Sequence, residues 1–168
     1  IVHHLAGVTD VPRTELELNQ EKDKELRDIA EKGTEVVLSE TSQNCKIIFP
    51  STHVVFEGKQ DLIKDIREDF EKLPILPYAK SKDDNEEQIK KSGKNYVILR
   101  LGSVYGNSFD STRLNILKNI FSKITASGNK IKLFSGGNQL KSLVAVNDVA
   151  RCMEFVGEND DIRNEIYN

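Results

Sequence analysis

Apolar and polar positions fall in blocks whose period changes along the chain. IVHHLAG, residues 1–7, is a short apolar run softened by Ala6 and Gly7, and it predicts a buried strand. Pro12 and the charges after it predict a loop leading into a helix. From Leu26, the positions Leu26, Ile29, Gly33, Val36 and Val37 recur at helical spacing until the polar TSQN run. KIIFPST is apolar at Ile47, Ile48 and Phe49 in succession, as a strand buried on both faces of a parallel sheet tends to be. The long connection HVVFEGKQDLIKDIREDFEKLPILP predicts a helix over DLIKDIREDF. Pro74 and Pro77 then stop any incoming helix. From Tyr78, YAKSKDDNEEQIKKSG predicts a helix ending near Gly93, and Tyr96–Leu101 a third strand.

Three strands alternating with helices predict an α/β fold with a parallel sheet and right-handed crossovers. Beyond Gly106 the style changes. STRLNILKNIFSKITASG predicts an amphipathic helix with Leu114, Leu117, Phe121 and Ile124 on one face, read as core or as an inter-subunit face. KIKLFSGG predicts a short strand and turn. LVAVNDVARCMEFVG predicts a strand and then a helix capped by Asn147 or Asp148. The change of style divides the chain into residues 1–101 and 102–168.

Composition narrows the function classes. The chain has 168 residues, 38% hydrophobic and 30% charged, which suits a globular protein and not a disordered one. A net charge of −3 with interspersed signs argues against a nucleic-acid binder. No apolar stretch reaches membrane-spanning length and no secretory leader is present, so the expected compartment is the cytoplasm. Cys45 and Cys152 lack metal-ligand spacing and read as buried, reduced thiols, with a disulfide between them as the less favoured alternative. A strand that begins at Ile1 with no leader or methionine reads as a fragment of a longer protein.

Ligands of open parallel sheets collect at the carboxyl ends of the strands. Those ends carry Leu5-Ala6-Gly7, Ser51-Thr52 and Gly102-Ser103. Tyr78 and Lys82 lie between the second and third, four residues apart on one helix face. A hydroxyl, a phenol and an ammonium directed at one pocket suit proton abstraction from an alcohol coupled to hydride transfer. A free phenol has a pKa of about 10, and a neighbouring ammonium favours the phenolate. Because no side chain accepts hydride, a nicotinamide is needed.

At these residues the chain resembles the extended short-chain dehydrogenase/reductase family, the NAD-dependent nucleotide-sugar epimerases and dehydratases. VHHLAG is similar to that family's V-x-H-x-A-(A/G), and IFPSTHVVFEG to its F-x-S-(S/T)-x-x-V-Y-G. PYAKSKDDNE is similar to P-Y-x-x-S-K-x-x-x-E, VILRLGSVYG to x-x-L-R-x-x-N-V-Y-G, and KSLVAVNDVA to R-D-(F/Y)-(I/V)-x-V-x-D-(V/L)-A. A lone Y-x-x-x-K is a weak signal, whereas five ordered matches over nearly the whole chain are a strong one.

The resemblance implies a partial Rossmann-type parallel sheet flanked by helices, followed by part of a C-terminal substrate-binding region. It implies Tyr78 as acid/base, Lys82 as the residue that tunes Tyr78 and orients the cofactor ribose, and Thr52 as the hydroxyl partner on substrate. Leu5, Ala6, Gly7 and Gly102, together with Tyr78 and Lys82, would contact the cofactor, NAD or NADP. Ser103 and Lys141 would meet the nucleotide-sugar substrate, and no metal is called for. The resemblance also implies a homodimer through helices at 60–70 and 81–92. The family's G-x-x-G-x-x-G turn and the acidic residue that reads the adenosine ribose have no counterpart here, so this stretch alone is expected to bind NAD poorly. Ser103 stands where the family has Asn, and Lys141 where it has Arg. His53 and Val54 replace the Asp-Glu pair of the dehydratases, which disfavours sugar dehydration. The implied activity is epimerisation of a nucleotide sugar. The alternatives are NADPH-dependent reduction of a keto-sugar or other carbonyl, and a non-catalytic dinucleotide-binding sensor or scaffold.

Plainer readings stand beside these. Tyr78 and Lys82 alone would be a helix-start aromatic and a solvated lysine, and Thr52 a strand-end hydroxyl satisfying the backbone. His3 and His4 read as core or strand-end residues, and His53 as a turn histidine or a general acid. DDNEE reads as a solvated helix face with Glu86 structural, and Asp148 as an N-cap.

Overall fold

The computed structural model describes residues 1–8, 19–59, 63–106, 117–133, 135–138 and 140–168. The expectations placed on Pro12, the start of DLIKDIREDF and Leu114 lie outside them. The described chain divides into two compact units, Ile1–Leu101 with Met153–Asn168, and Gly102–Cys152. The sequence reading grouped 102–168 together, whereas the last sixteen residues of that span return to the first unit.

The first unit is built on a parallel sheet in the order β1-β2-β3-β6, with β1 Val2–His3, β2 Lys46–Thr52, β3 Asn95–Leu101 and β6 Glu165–Tyr167. β2 is central, so its alternating side chains must be apolar in both directions. Ile47, Ile48 and Phe49 are all fully buried, as are Val97 and Ile98 beside them on β3. Ile47 and Phe49 pack with Ile98 and with Ile89 of helix α2 (Pro77–Lys91). Ile48 faces the opposite side, where Gly157 near the end of helix α4 (Val146–Glu158) comes close enough that an added Cβ would lie 3.2 Å from it. Lys46 is buried at the start of β2, and its ammonium donates to the carbonyls of Val156, Gly157 and Asn159, satisfying the helix's last orphan acceptors.

Helix α1 (Gln20–Glu40) starts where Asn19 accepts from the N–H groups of Glu21 and Lys22, with Glu21 and Asp23 in its first turn. It lies against α2, tied by Arg27 to Asp84, but only Leu26 and Thr34 are buried; Ile29 and Val36 of the expected apolar face are exposed. α2 opens with Pro77 at its first position, whose missing N–H costs nothing there. It closes before Gly93, whose φ of 73° lets the chain turn out of the helix.

Several expectations are corrected. The described residues 63–70 form no helix: Ile66, Glu68 and Phe70 are engaged by Asn168, Arg100 and Lys59 in an irregular segment. The DDNEE run is not a solvated face throughout, because Asn85 and Glu86 are buried. Cys152 is exposed and Cys45 half-buried, both free thiols.

The second unit holds a parallel pair, β4 Ser103–Tyr105 with β5 Leu143–Ala145, helix α3 Leu117–Ala126, and the start of α4. No strand forms over the described residues 130–133. α4 begins at Val146, so Asn147 and Asp148 sit inside its first turn and do not cap it; Asp148 pairs with Arg151 one turn on. Gly102 is required by packing: a Cβ there would stand 2.7 Å from the Ser142 hydroxyl oxygen and 3.0 Å from its carbonyl. None of the described helices is long and apolar enough to cross a membrane.

Candidate active site

The carboxyl end of β2 and the first turn of α2 hold the residues with chemical capacity in the first unit. Thr52 ends β2 almost fully buried, and its hydroxyl accepts a long 3.4 Å bond from the Val54 N–H, starting the 3-10 turn His53–Phe56. Tyr78, half-buried, is the second residue of α2. Lys82 follows one turn later and its ammonium lies 6.0 Å from the Tyr78 ring centre. The same ammonium sits 4.4 Å from the Phe49 ring centre and donates to the Pro50 carbonyl at 2.9 Å. Lys82 thus joins the Tyr78 helix to the strand that ends in Thr52.

Burial controls the lysine's charge. Removal from water lowers the Lys82 amine from 10.5 to about 8, against a smaller upward pull from the Glu86 carboxylate. Burial also lowers His4, with the Lys82 charge adding to it; the His4 imidazole bonds the Thr34 hydroxyl at 2.9 Å and stacks 5.5 Å from Phe49. His4 is therefore a packed residue of the core edge. Its neighbour His3 is exposed on β1.

A testable consequence follows for folding. The penalty for burying the Lys82 ammonium is fully present below about pH 8 and is relieved as pH rises towards 10.5, because in that window the unfolded chain holds more protons at this site. Urea unfolding of the wild type and of Lys82→Met at both ends of the window should show the wild type gaining on the variant at the alkaline end. A constant difference between them would contradict the buried-amine assignment.

Behind this edge lies a buried polar cluster. Ser51 and Arg100 are paired in register on β2 and β3, so both point towards α2. There the fully buried Glu86 receives the Ser51 hydroxyl, Arg100 Nη2 at 2.9 Å, Arg100 Nε at 3.1 Å and Lys72 Nζ at 3.2 Å. Arg100 also donates to the Glu68 carbonyl at 2.9 Å, and its guanidinium lies 5.3 Å from the centre of the Phe56 ring. His53 bonds the Leu101 carbonyl through Nδ1 at 3.0 Å. A carbonyl only accepts, so that nitrogen carries the proton.

The remaining sequence-derived candidates are placed as follows. Leu5, Ala6 and Gly7 form an exposed segment after β1, beside the end of β2, and among the described residues no atom lies within 4 Å of where a Gly7 Cβ would stand. In the second unit, Gly102 and Ser103 lead into β4, where the Ser103 N–H bonds the Ser142 carbonyl at 2.9 Å; Lys141 is exposed just before β5. Sequence reasoning left two residues that bond to α2 or its lead-in without a role. Arg100 lay inside the matched L-R pair, but its role depends on strand register. Glu57 carried no local signal, since its contacts are with residues 75 and 76.

The parallel sheet with a Tyr-x-x-x-Lys helix at its carboxyl edge defines a Rossmann-like fold of the short-chain dehydrogenase/reductase type. Within that class, the chain belongs to the RmlD substrate binding domain family, which it matches over residues 1–167. It is 32% identical over 111 residues, 63% of its length, to a Methanocaldococcus jannaschii protein named "Putative UDP-glucose 4-epimerase", of which this covers 36%. Among solved structures it superposes on the UDP-glucose 4-epimerase of Thermotoga maritima, crystallised with UDP-glucose, with a TM-score of 0.80 at 23% identity, covering 99% of this chain and 54% of that one. The UDP-glucuronic acid 4-epimerase of Bacillus cereus, in complex with UDP-glucuronic acid and NAD, gives 0.74 at 19% identity, covering 96% and 51%. The chain spans about half the length of these solved relatives.

Proposed function

We propose that this chain carries the catalytic edge of an NAD-dependent epimerase acting on a nucleotide sugar. The observation that carries the reading is the placement of Tyr78 and Lys82 on one face of α2, with the Lys82 ammonium bonded back to Pro50, two residues from Thr52. The similarity to epimerases named for UDP-sugar substrates supports the substrate class.

In this reading Tyr78 would take the proton of a sugar hydroxyl as its carbon is oxidised to a ketone, and would return it to that oxygen as the ketone is reduced again on its other face. The Lys82 ammonium favours the phenolate electrostatically, and being buried it does so through a low-dielectric medium where the effect is larger than in water. Thr52 holds the reacting oxygen in line by its hydroxyl. The exposed Leu5–Gly7 segment, where no atom of the described residues crowds Gly7, fits the close approach of a flat ring, and Lys82 supplies a donor for a ribose hydroxyl. NAD, when bound, supplies the hydride acceptor that no side chain can replace. A homodimer is proposed through α2, which carries the expected helix at 81–92; its expected companion at 60–70 does not form over the described residues 63–70.

The test is to give the whole protein, loaded with NAD, a panel of UDP-sugars, following nicotinamide fluorescence and the sugar's configuration by NMR. The expected result is interconversion of epimers with no net accumulation of reduced cofactor. Steady consumption of NADPH with a keto-sugar, and no epimer formed, would replace this reading with a reductase.

A further inference from the structure

The position of the Tyr78 ring depends on how the first turn of α2 is fixed, and the helix does little for itself. Its N-cap residue, Leu76, has no side chain able to accept the orphan N–H groups, and Pro77 has none to offer. Helix starts without such partners fray. The N-cap residue's own N–H and that of the residue before it are held instead by a carboxylate nineteen and eighteen residues upstream. One carboxylate oxygen of Glu57, Oε1, accepts the N–H of Ile75 at 2.9 Å and the N–H of Leu76 at 2.6 Å.

The same two segments are joined again on either side. The Leu73 N–H donates to the Val55 carbonyl at 2.8 Å, and the Gly58 N–H donates to the Leu73 carbonyl at 2.9 Å. A Cβ on Gly58 would stand 2.6 Å from Leu73 Cγ and 2.7 Å from its carbonyl oxygen, so only glycine permits this approach. The VFEG segment follows directly from Thr52, and the residue after Pro77 is Tyr78. A carboxylate near a helix N-terminus is also favoured by the helix dipole.

We propose that Glu57 is a positioning residue for Tyr78, a clamp that sets the start of the tyrosine helix against the turn leaving Thr52. The proposal rests on the reading of Tyr78 as acid/base given above. A glutamine at this position keeps an acceptor oxygen and loses the charge, while alanine loses both.

The experiment compares Glu57→Ala, Glu57→Gln and Tyr78→Phe in the NAD-loaded enzyme, with amide hydrogen exchange measured over residues 75–80. Glu57→Ala should lower kcat roughly ten- to a hundredfold, the scale of a 1 Å misplacement, with KM for the nucleotide sugar little changed and exchange faster at 75–80. Glu57→Gln should restore both. Wild-type kcat in Glu57→Ala, a loss that only follows the folded fraction, or a glutamine variant no better than alanine would overturn the proposal. The two readings fail separately: an active Tyr78→Phe overturns the acid/base role alone, while unchanged exchange in Glu57→Ala overturns the clamp whatever Tyr78 does.

Discussion

Tyr78→Phe should lower turnover by roughly 10²–10⁴-fold, the range for loss of a positioned acid/base, and leave dinucleotide affinity near that of the wild type. The substitution is close to isosteric. It keeps an aromatic ring beside the Lys82 ammonium, now 6.0 Å from the ring centre, and it leaves Pro77 to start the helix. What disappears is the hydroxyl, the only part of the residue that can carry a proton. Affinity should survive because the donor expected to hold the cofactor ribose is the Lys82 amine, anchored independently on the Pro50 carbonyl. Steady-state rates on the UDP-sugar identified by the NMR panel, alongside calorimetric titration of NAD, measure the two effects separately. Near-normal turnover with the hydroxyl gone would reject Tyr78 as the base.

The strands and the tyrosine helix were legible because their signals are local. KIIFPST reads as a two-face-buried strand from three consecutive apolar residues, and β2 spans Lys46–Thr52. Pro77 and Gly93 punctuate the helix between them at positions where backbone geometry leaves little choice. The ordered matches from VHHLAG to KSLVAVNDVA identified the fold class and family for the same reason, each being a short local run, PYAKSKDDNE at the start of α2 and the others at strands.

What failed to show in the sequence was settled by partners far along the chain. DLIKDIREDF has helical periodicity, yet Arg100 takes the Glu68 carbonyl and Asn168 the Ile66 carbonyl, so the backbone acceptors over this stretch are claimed by side chains. The apolar positions Ile29 and Val36 follow helical spacing correctly, but spacing does not say which stripe faces the sheet, and α1 turns Leu26 and Thr34 inward. Glu86 looked like one carboxylate among several in an acidic run. Only the register pairing of Ser51 with Arg100 explains why this one is driven inside.

Breaking that cluster should produce the largest stability loss of any single change in the first unit. Glu86→Ala is expected to cost about 3–5 kcal/mol, because it strands a buried guanidinium. Arg100 is 4% exposed and has Glu86 as its charge partner. Ser51 and Lys72 lose an acceptor in the same step. Burial alone would raise the Glu86 carboxyl, but hydrogen bonds from Arg100 and Ser51, with the charges of Arg100 and Lys72, outweigh it and hold the group below its ordinary 4.5. A carboxylate lowered by folding stabilises fully above its unfolded pKa and loses that contribution as pH falls through the folded one. The gap between wild type and Glu86→Ala in urea unfolding should therefore be widest near neutrality and shrink under acid. The double variant Glu86→Leu with Arg100→Met should recover most of the loss, since removing both charges leaves neither unpaired. If the single variant unfolds at the wild-type urea concentration, or the double one falls by the sum of its parts, the cluster is not a coupled ion pair holding β2, β3 and α2 in register.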